Sequence, residues 1–486
     1  MSIGQYLEKY AQEQPEKIAI YFAERSITYR EFYYNITMYQ HKLRQYSNNN
    51  QPQKVALLIG NEPAFLEMFF ATITLGWIAI PFNPKWSKRE SMKVVEMANP
   101  DIVVTSEQFK KEASYTFKAT FSVENIAVPK LSNINVHVQA DTPFYLGFTS
   151  GSTGDPKGFI RNHRSWLASF TAGEEVFHYG KDDIIMAPGP LCHSLSLFGA
   201  VHALHIGATF YLTSSFSAKM IFNTIKAQQA TVVFAVPTML HNLAKLPESI
   251  QTNVTFLSSG AKLQPQIKQD LKQVFPNNNI YEYYGASELS YVTYIDETMS
   301  THYPNSVGTP FPAVDISIRN NAGNVLTQGE IGHIYIKSNF LFTGYVNEEA
   351  ATKSVLTKHG ATIGDIGFIN EAGLLTIVGR KNNMIISGAH NIYPEEIEKI
   401  MKDVPFVKEA VVIGVSDARW GQKVIALIQW KENGQHNLSL LKAHCRKNLA
   451  IYKRPRKYYI AETFPYTTTG KIARNEIEAN ISRWMI

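Results

Sequence analysis

One run of the sequence combines glycines, hydroxyl side chains and a lysine between an apolar stretch and a helix predicted to begin near residue 162. Glycines let backbone N–H groups converge on an anion, hydroxyls add donors, and a lysine adds a full positive charge. This composition suits a polyphosphate, although the lysine lacks the Gly-Lys-Ser/Thr context of a P-loop. A flexible surface turn would look similar, so the interpretation depends on partners elsewhere. The run consists of Thr149, Ser150, Gly151, Ser152, Thr153, Gly154, Asp155, Pro156, Lys157 and Gly158.

Four later segments supply such partners. The first follows a strand predicted at 280–285, and open α/β sheets bind ligands at the carboxyl ends of their strands. It offers an aromatic face for a base, a hydroxyl for a phosphate and a carboxylate for a metal. The others offer a carboxylate for two ribose hydroxyls, an arginine for ribose or phosphate, and a lysine on a loop. The residues are Tyr283, Tyr284, Gly285, Ala286, Ser287 and Glu288; Gly364 and Asp365; Gly379 and Arg380; and Gly470 and Lys471.

The elements that position these residues follow a repeating order. Apolar strands alternate with helices through the first 285 residues, which predicts parallel sheets covered by helices on both faces. After about residue 305 the strands are short and separated by Gly and Asn turns, which predicts a β subdomain. From residue 384 a compact α+β pattern predicts a second domain. The strands of the first part are expected at 55–60, 77–82, 101–106, 184–188, 209–213, 231–237, 254–260 and 280–285.

Composition excludes several classes of protein. The chain has 486 residues, of which 45% are apolar, so more than one domain with a large core is expected. A net charge of +6 suits anionic small molecules without indicating nucleic acid. Two cysteines, Cys192 and Cys445, are too few for a disulfide framework or a cysteine metal cluster. The polar N-terminus and the lack of a long apolar run predict a cytoplasmic protein without integral membrane association.

In order and spacing, these motifs resemble the adenylate-forming superfamily of acyl-CoA synthetases, peptide-synthetase adenylation domains and luciferase, most closely the bacterial AMP-forming acyl-CoA ligases. Residues 149–158 match its phosphate loop, 284–288 its aromatic-Gly-x-(Thr/Ser)-Glu motif, and 465–474 its terminal lysine motif. Residues 387–396 match its CoA-tunnel glycine followed by PxEIE. The sequence departs from the family at Ile363, where threonine is usual, and at Asn382, where Asp or Lys is usual.

The resemblance implies an α/β fold with three parts. A large N-terminal domain, residues 1–380, carries doubly wound sheets and the β subdomain, and binds the adenylate and the acyl group. A hinge follows at 381–383, and a small, mobile α+β domain occupies 384–486. The change in sequence texture supports a boundary near 380–383.

The resemblance also implies cofactors and residue roles. ATP, Mg²⁺ and coenzyme A are expected, with Lys157 and the phosphate-loop hydroxyls on the phosphates and Glu288, with Thr153, on the metal. Ser287 would reach the α-phosphate, and Lys471 would bridge the substrate carboxylate and that phosphate. Further contacts to the nucleotide or CoA are implied for Tyr283, Tyr284, Gly285, Gly260, Ala261, Asp365, Arg380, Gly388 and Ala389, and to the acyl group for His193, Val236 and Pro237.

The expected activity is ligation of a carboxylic acid, best matched by a fatty acid, to CoA through an acyl-adenylate. Two alternatives stay open: loading of a phosphopantetheine carrier protein, and CoA ligation of an aryl or dicarboxylic acid. A non-catalytic nucleotide-binding relative is disfavoured, because the charged motif residues are retained. Lys262 could face solvent or meet a second acidic group of the substrate. The sequence leaves the oligomeric state open between monomer and homodimer.

Overall fold

The computed structural model describes residues 1–47, 51–110, 121–124, 134, 136–150, 156–227, 229–387, 390–417, 421–432, 436–467 and 471–484. The chain forms two compact units. The first includes residues 1–149, 156–316 and 336–361, and the second includes 317–335 and 362–486. The division between the domains at 381–383, and the mobility of the smaller one, stay predictions.

A mixed sheet of nine strands, counted over the described residues, dominates the first unit. Its central strands are parallel, as predicted, and its two edges are antiparallel. The sequence pattern did not predict these edges. Short turns join Ile18–Phe22 to Arg25–Thr28 and Asn278–Ala286 to Ser290–Asp296, and only antiparallel strands can be joined that way. In spatial order the strands are Thr309–Pro310, Ser290–Asp296, Asn278–Ala286, Val254–Ser258, Val232–Ala235, Ile184–Met186, Thr209–Leu212, Ile18–Phe22 and Arg25–Thr28.

A second sheet of the first unit carries the strands that flank residues 151–155. Most of its neighbouring strands are parallel, and the short strand Gly344–Tyr345 is antiparallel to Pro156–Asn162. In order its described strands are Gly344–Tyr345, Pro156–Asn162, Pro143–Ser150, Ile78–Pro81, Lys54–Leu58, Ile102–Thr105 and Phe121–Ser122. The short strands Leu356–Thr357 and Gly360–Ala361 form an antiparallel hairpin, and Ala361 pairs with Ile336 in a further sheet.

Helices pack beside these sheets, and local sequence fixes where several begin. Thr28 with Glu31, and Ser87 with Glu90, form capping boxes that satisfy the first backbone donors. Proline occupies the first turn of other helices, where its missing N–H costs no hydrogen bond. The helices are Leu7–Glu13, Tyr29–Tyr46, Pro63–Thr74, Lys88–Ala98, His163–Phe177, Ser194–His205, Ala218–Lys226, Pro237–Leu243, Pro265–Val274, Glu297–His302 and Glu349–Val355, with a 3₁₀ turn at Glu107–Phe109.

The second unit contains the predicted β and α+β elements. The sheet of its α+β part is built on a long antiparallel pair, Val407–Asp417 with Gly421–Trp430. Alternate residues of this pair enter two separate apolar clusters, so both faces of the sheet are buried. The strands Asp365–Ile369 and Leu375–Arg380 pair with each other in another sheet. The other elements are the strands Asp365–Ile369, Leu375–Arg380, Ile385–Ser387, His390–Ile392 and Lys457–Ile460, the helices Pro394–Lys402, Leu438–Asn448 and Arg474–Ala479, and the 3₁₀ turns Lys381–Asn383, Ile451–Lys453 and Ile481–Arg483. The strands Asp315–Arg319 and Gly332–Lys337 cross the division between the units.

In the described part of the chain, no helix combines the length and the apolar character that crossing a bilayer requires.

Two buried histidines hold the N-terminal segment of the first unit. Nδ1 of His163 accepts the backbone N–H of Ile3 at 3.1 Å, and Nδ1 of His205 accepts that of Gly4 at 3.2 Å. Burial lowers the pKa of each histidine to about 3. Both rings are therefore neutral acceptors at neutral pH.

These histidines predict a loss of stability in acid. Below pH 6.5 an unfolded histidine takes up a proton, whereas the buried rings stay neutral until about pH 3. The free energy of unfolding should fall by about 1.4 kcal/mol per pH unit for each histidine in this window. The free energy of unfolding is measured with urea at pH 7 and pH 4.5. In His205→Asn, its change between the two pH values should be smaller by the contribution of one histidine. In the control His178→Asn, at an exposed left-handed position, this change should not be smaller. Equal pH dependence in both variants would contradict the assignment.

Candidate active site

The predicted phosphate run is described only at its ends. Thr149 and Ser150 end one strand, and Lys157 lies near the start of the adjacent strand. The Lys157 ammonium lies 5.5 Å from the centre of the Tyr345 ring, close enough for a cation–π interaction. Gly151, Ser152, Thr153 and Gly154 lie outside the described residues.

The aromatic and acidic motif forms the turn between two antiparallel strands, Asn278–Ala286 and Ser290–Asp296. The pairing shifts register between Tyr284 and Gly285. A β-carbon at Gly285 would lie 2.1 Å from the Ser290 carbonyl oxygen, so only glycine fits there. This close approach places Ser287 and Glu288 at the turn, directly beyond the strand.

A chain of hydroxyl groups leads to Ser287. The Tyr145 hydroxyl lies 3.3 Å from Oγ of Ser194, and that oxygen lies 3.3 Å from Oγ of Ser287. Tyr145 is buried, and burial raises the pKa of its hydroxyl. The chain therefore positions Ser287 through neutral hydroxyl groups.

Glu288 is held by a segment more than fifty residues further along the chain. The Tyr345 hydroxyl donates to Oε1 of Glu288 at 2.8 Å, and the Glu288 carbonyl accepts the backbone N–H of Phe342 at 2.8 Å. Burial and the charge of Glu288 raise the pKa of the Tyr345 hydroxyl, so it remains a donor. The buried guanidinium of Arg161 interacts electrostatically with the same carboxylate, and burial lowers its pKa to about 10.

The residues expected near the base and the acyl group meet at the carboxyl ends of parallel strands. Gly260 has a φ of +93°, and its backbone approaches Val236, whose Cγ1 would lie 3.7 Å from an added β-carbon. Ala261 directly follows Gly260 along the chain, and the Ser259 hydroxyl donates to the Tyr283 carbonyl at 3.0 Å. Burial raises the pKa of Tyr283. Tyr284 lies next to it on the strand Asn278–Ala286.

The acyl-pocket candidates stand at helix beginnings. Val236 precedes the helix Pro237–Leu243, and His193 precedes the helix Ser194–His205. Burial, with a smaller effect from the charge of Lys85, lowers the pKa of His193 and favours a neutral ring. A neutral imidazole suits an apolar substrate better than an imidazolium would.

Lys262 lies at the surface, as the first of the two sequence expectations has it, and its ammonium also has partners within the protein. Its ammonium donates to the Ser306 carbonyl at 2.7 Å and lies 3.6 Å from Oε1 of Glu282. Glu282 also pairs with the buried Lys268 and accepts the backbone N–H of Leu263. Lys262 thus lies at the exposed end of a charge cluster whose other members, Glu282 and Lys268, are buried.

In the second unit, the terminal lysine lies near the predicted ribose residues. Nε of Arg380 donates to Oδ1 of the buried Asp365 at 2.9 Å. Burial lowers the pKa of Lys471, the charge of Arg380 lowers it further, and the charge of Asp365 opposes this effect. The structure therefore gathers three predicted residues that together span more than one hundred positions of the sequence.

The lysine itself is held by local hydrogen bonds and by an anchor three residues later. The Lys471 carbonyl accepts the backbone N–H of Thr467 at 2.7 Å. Arg474 then pairs with the buried Glu398 and donates to the Val412 carbonyl. Gly388, Ala389 and Gly470 lie outside the described residues.

The described residues suit a magnesium–nucleotide complex better than a protein-only metal site. No group of three or more His, Cys, Asp or Glu side chains in the described ranges could hold a metal ion. Mg²⁺ in nucleotide sites is usually bound by one or two carboxylates together with substrate phosphates and water. Glu288, with one oxygen fixed by Tyr345 and a partly exposed side chain, fits this donor set.

Arg161, Tyr345 and Arg474 were missed by sequence reasoning. Arg161 did leave a signal, because it shares a strand face with Lys157 and Phe159. Tyr345 and Arg474 left none, since their partners lie 57 and 76 residues away.

Comparisons with known proteins agree along the whole chain. The family model described as AMP-binding enzyme matches residues 7–346, and the AMP-binding enzyme C-terminal domain matches 396–471. The chain is 36% identical to an uncharacterized acyl-CoA ligase, YhfT, of Bacillus subtilis, and 31% identical to a putative long chain fatty acid-CoA ligase, VraA, of Staphylococcus haemolyticus. Each match covers 98% of both chains. The o-succinylbenzoate CoA synthetase MenE of Bacillus subtilis, solved with its acyl-adenylate intermediate, superposes with a TM-score of 0.89 at 25% identity over 98% of both chains.

Proposed function

The chain belongs to the AMP-binding enzyme family, and we propose that it joins a fatty acid to coenzyme A through a fatty acyl-adenylate. Family membership confirms the expected α/β fold and the expected enzyme class, an AMP-forming acyl-CoA ligase that uses ATP, Mg²⁺ and CoA. The choice of acid, the residue roles, the cytoplasmic location and the oligomeric state are proposals.

The state of Lys262 carries the choice of a fatty acid over a dicarboxylic acid. A second substrate carboxylate needs a cation inside the pocket, and Lys262 was the candidate that the sequence offered. Its ammonium is instead engaged by Ser306 and Glu282. The neutral His193 and the apolar Val236 and Pro237 also favour an uncharged acyl tail. The name of the relative VraA, a putative long chain fatty acid-CoA ligase, agrees with this choice.

In the proposed first step, an oxygen of the substrate carboxylate attacks the α-phosphorus of ATP, and the bond to pyrophosphate breaks. Two anions must approach each other, so stabilisation of negative charge dominates catalysis. Lys157 would neutralise the phosphates that leave, Ser287 would donate to the α-phosphate, and Lys471 would lie between carboxylate and phosphate. Mg²⁺, held by Glu288 with Thr153, would supply further positive charge on the phosphates.

In the proposed second step, the thiol of CoA loses its proton and attacks the acyl carbon, and AMP leaves. Residues 388 and 389 would line the path of the pantetheine arm. Their neighbour His390 stacks on Tyr452 with ring centres 4.2 Å apart. Lysines and arginines occupy seven of the positions between 442 and 457, with no acidic residue among them. This basic stretch suits the phosphates of CoA and favours it as the acyl acceptor.

The proposed substrate can be tested by measuring pyrophosphate release across carboxylic acids, with and without CoA. Fatty acids should give the highest kcat/KM, and thioester should form only when CoA is present. Higher kcat/KM with succinylbenzoate or a short dicarboxylic acid would contradict the fatty acid proposal. Adenylate formation without transfer to CoA would instead favour a carrier protein as acceptor.

Lys471→Ala should abolish adenylate formation far more than thioester formation, because only the first step needs a cation between two anions. Loss of one charge-stabilising contact in a dry site costs about 3–4 kcal/mol, or about a hundred- to thousandfold in rate. The two half-reactions are measured separately, the second with synthetic acyl-adenylate and CoA. An equal loss in both half-reactions would contradict the role of Lys471.

Gly388→Leu should leave adenylate formation nearly intact but block its conversion to thioester, so that acyl-adenylate accumulates. A narrow tunnel needs a close backbone approach, which a leucine side chain would obstruct. Quenched-flow measurement of acyl-adenylate and thioester separates the two steps. If both steps slow equally, or neither changes, the tunnel assignment is wrong.

A further inference from the structure

Residues 340–346, called the strap below, connect the strand of Lys157 to Glu288. On one side, the backbone N–H groups of Thr343 and Val346 donate to the carbonyls of Ile160 and Gly158, at 2.9 and 2.8 Å. On the other side, the strap binds Glu288 through the Phe342 N–H and the Tyr345 hydroxyl. The strap is therefore fixed between the predicted phosphate-binding lysine and the predicted metal-binding carboxylate.

Arg161 anchors the start of the strap from inside the protein. Its side chain is only 2% exposed, and its Nη1 donates to the Phe340 carbonyl. Its Nε has no hydrogen-bond partner among the described residues. Burying a guanidinium is costly unless an opposite charge compensates. Among the described residues, Glu288 is the carboxylate whose charge raises the pKa of Arg161 against the effect of burial.

Tyr345 reaches Glu288 from the end of the strap. Its register opposite Phe159 turns the ring toward the same face as Arg161 and Lys157. The ring lies under the Lys157 ammonium, while its hydroxyl binds Oε1 of Glu288. One side chain thus contacts both the cation and the anion of the predicted phosphate and metal site.

We propose that Arg161 and Tyr345 are positioning residues that hold the Glu288 carboxylate in place for the Mg²⁺ of the bound nucleotide. This inference rests on the proposed function, in which Glu288 binds that metal. Tyr345 fixes Oε1 and so orients the carboxylate, and Arg161 compensates its charge and holds the strap against the strand. Partners of this kind, one contact removed from a metal, typically change metal affinity by about 10- to 100-fold when removed.

Tyr345→Phe is the cleanest test, because it removes only the hydroxyl and keeps the ring under Lys157. The binding of Mn²⁺ to the enzyme with a non-hydrolysable ATP analogue is measured by electron paramagnetic resonance, together with AMP binding without metal. We expect about tenfold weaker Mn²⁺ binding in the ternary complex, with unchanged AMP affinity. Tyr34→Phe, at an exposed helix position, is the matched control and should change neither quantity. Unchanged Mn²⁺ affinity in Tyr345→Phe would overturn the role of Tyr345.

Arg161→Lys keeps a positive charge but loses the planar guanidinium that reaches the Phe340 carbonyl, and it should also weaken Mn²⁺ binding about tenfold. A folded Arg161→Lys enzyme with normal Mn²⁺ affinity would remove Arg161 from the inference. If the variant does not fold, Tyr345→Phe still decides whether the strap positions Glu288.

Glu288→Gln separates this inference from the proposed function. If this variant binds Mn²⁺ normally, Glu288 is not the metal carboxylate, and both the metal role and the inference are wrong. If Glu288→Gln loses Mn²⁺ but Tyr345→Phe does not, the metal role stands and the inference alone is wrong.

Discussion

The cost of burying charge is the constraint on which this structure depends. The proposed reaction brings a carboxylate to a triphosphate, so it needs cations and an acid in places shielded from water. An isolated charge in such a place costs several kcal/mol, so each one requires compensation. The charge of Glu288 is compensated by the Tyr345 hydroxyl and the Arg161 guanidinium, and the charge of Asp365 is compensated by Arg380. The strap brings Tyr345 to Glu288, and the pairing of Asp365–Ile369 with Leu375–Arg380 places Arg380 opposite Asp365.

The same constraint explains contacts remote from the reacting atoms. Glu282 is buried between two lysines, and it also accepts a backbone N–H that would otherwise lack a partner. Glu398 bonds the Val412 N–H and the Arg474 guanidinium in the same way. Arg474 stands three residues after Lys471, so this buried pair fixes the loop that carries the catalytic candidate. Scaffold and site are therefore joined through paired charges rather than through apolar packing alone.

The sequence predicted the positions at which only one type of residue fits. It did not predict the residues whose role depends on partners far away in the sequence. Gly285 could be read from the sequence because a carbonyl oxygen excludes any β-carbon there. The strands and helices of both units matched their patterns because burial imposes periods of 2 and 3.6 residues. The role of Tyr345 could not be predicted, since it depends on a contact across 57 residues. The strand face that Arg161 shares with Lys157 was a signal, but it did not reveal the interaction with Glu288, 127 residues away. The partner of Lys262 could not be predicted either, because Glu282 lies on a different element.

The environment of Lys471 also bears on how the proposed hinge could work. Burial and Arg380 both disfavour its ammonium form, and only Asp365 favours it. In the absence of substrate, these opposing effects leave the lysine weakly held by charge. Two anions, the substrate carboxylate and the α-phosphate, would make the position favourable, because they supply the missing compensation. Once pyrophosphate has left and the carboxylate has become the uncharged acyl group of a mixed anhydride, that compensation falls. Under the proposed hinge at 381–383, the loss of this compensation would favour departure of Lys471 after the first step.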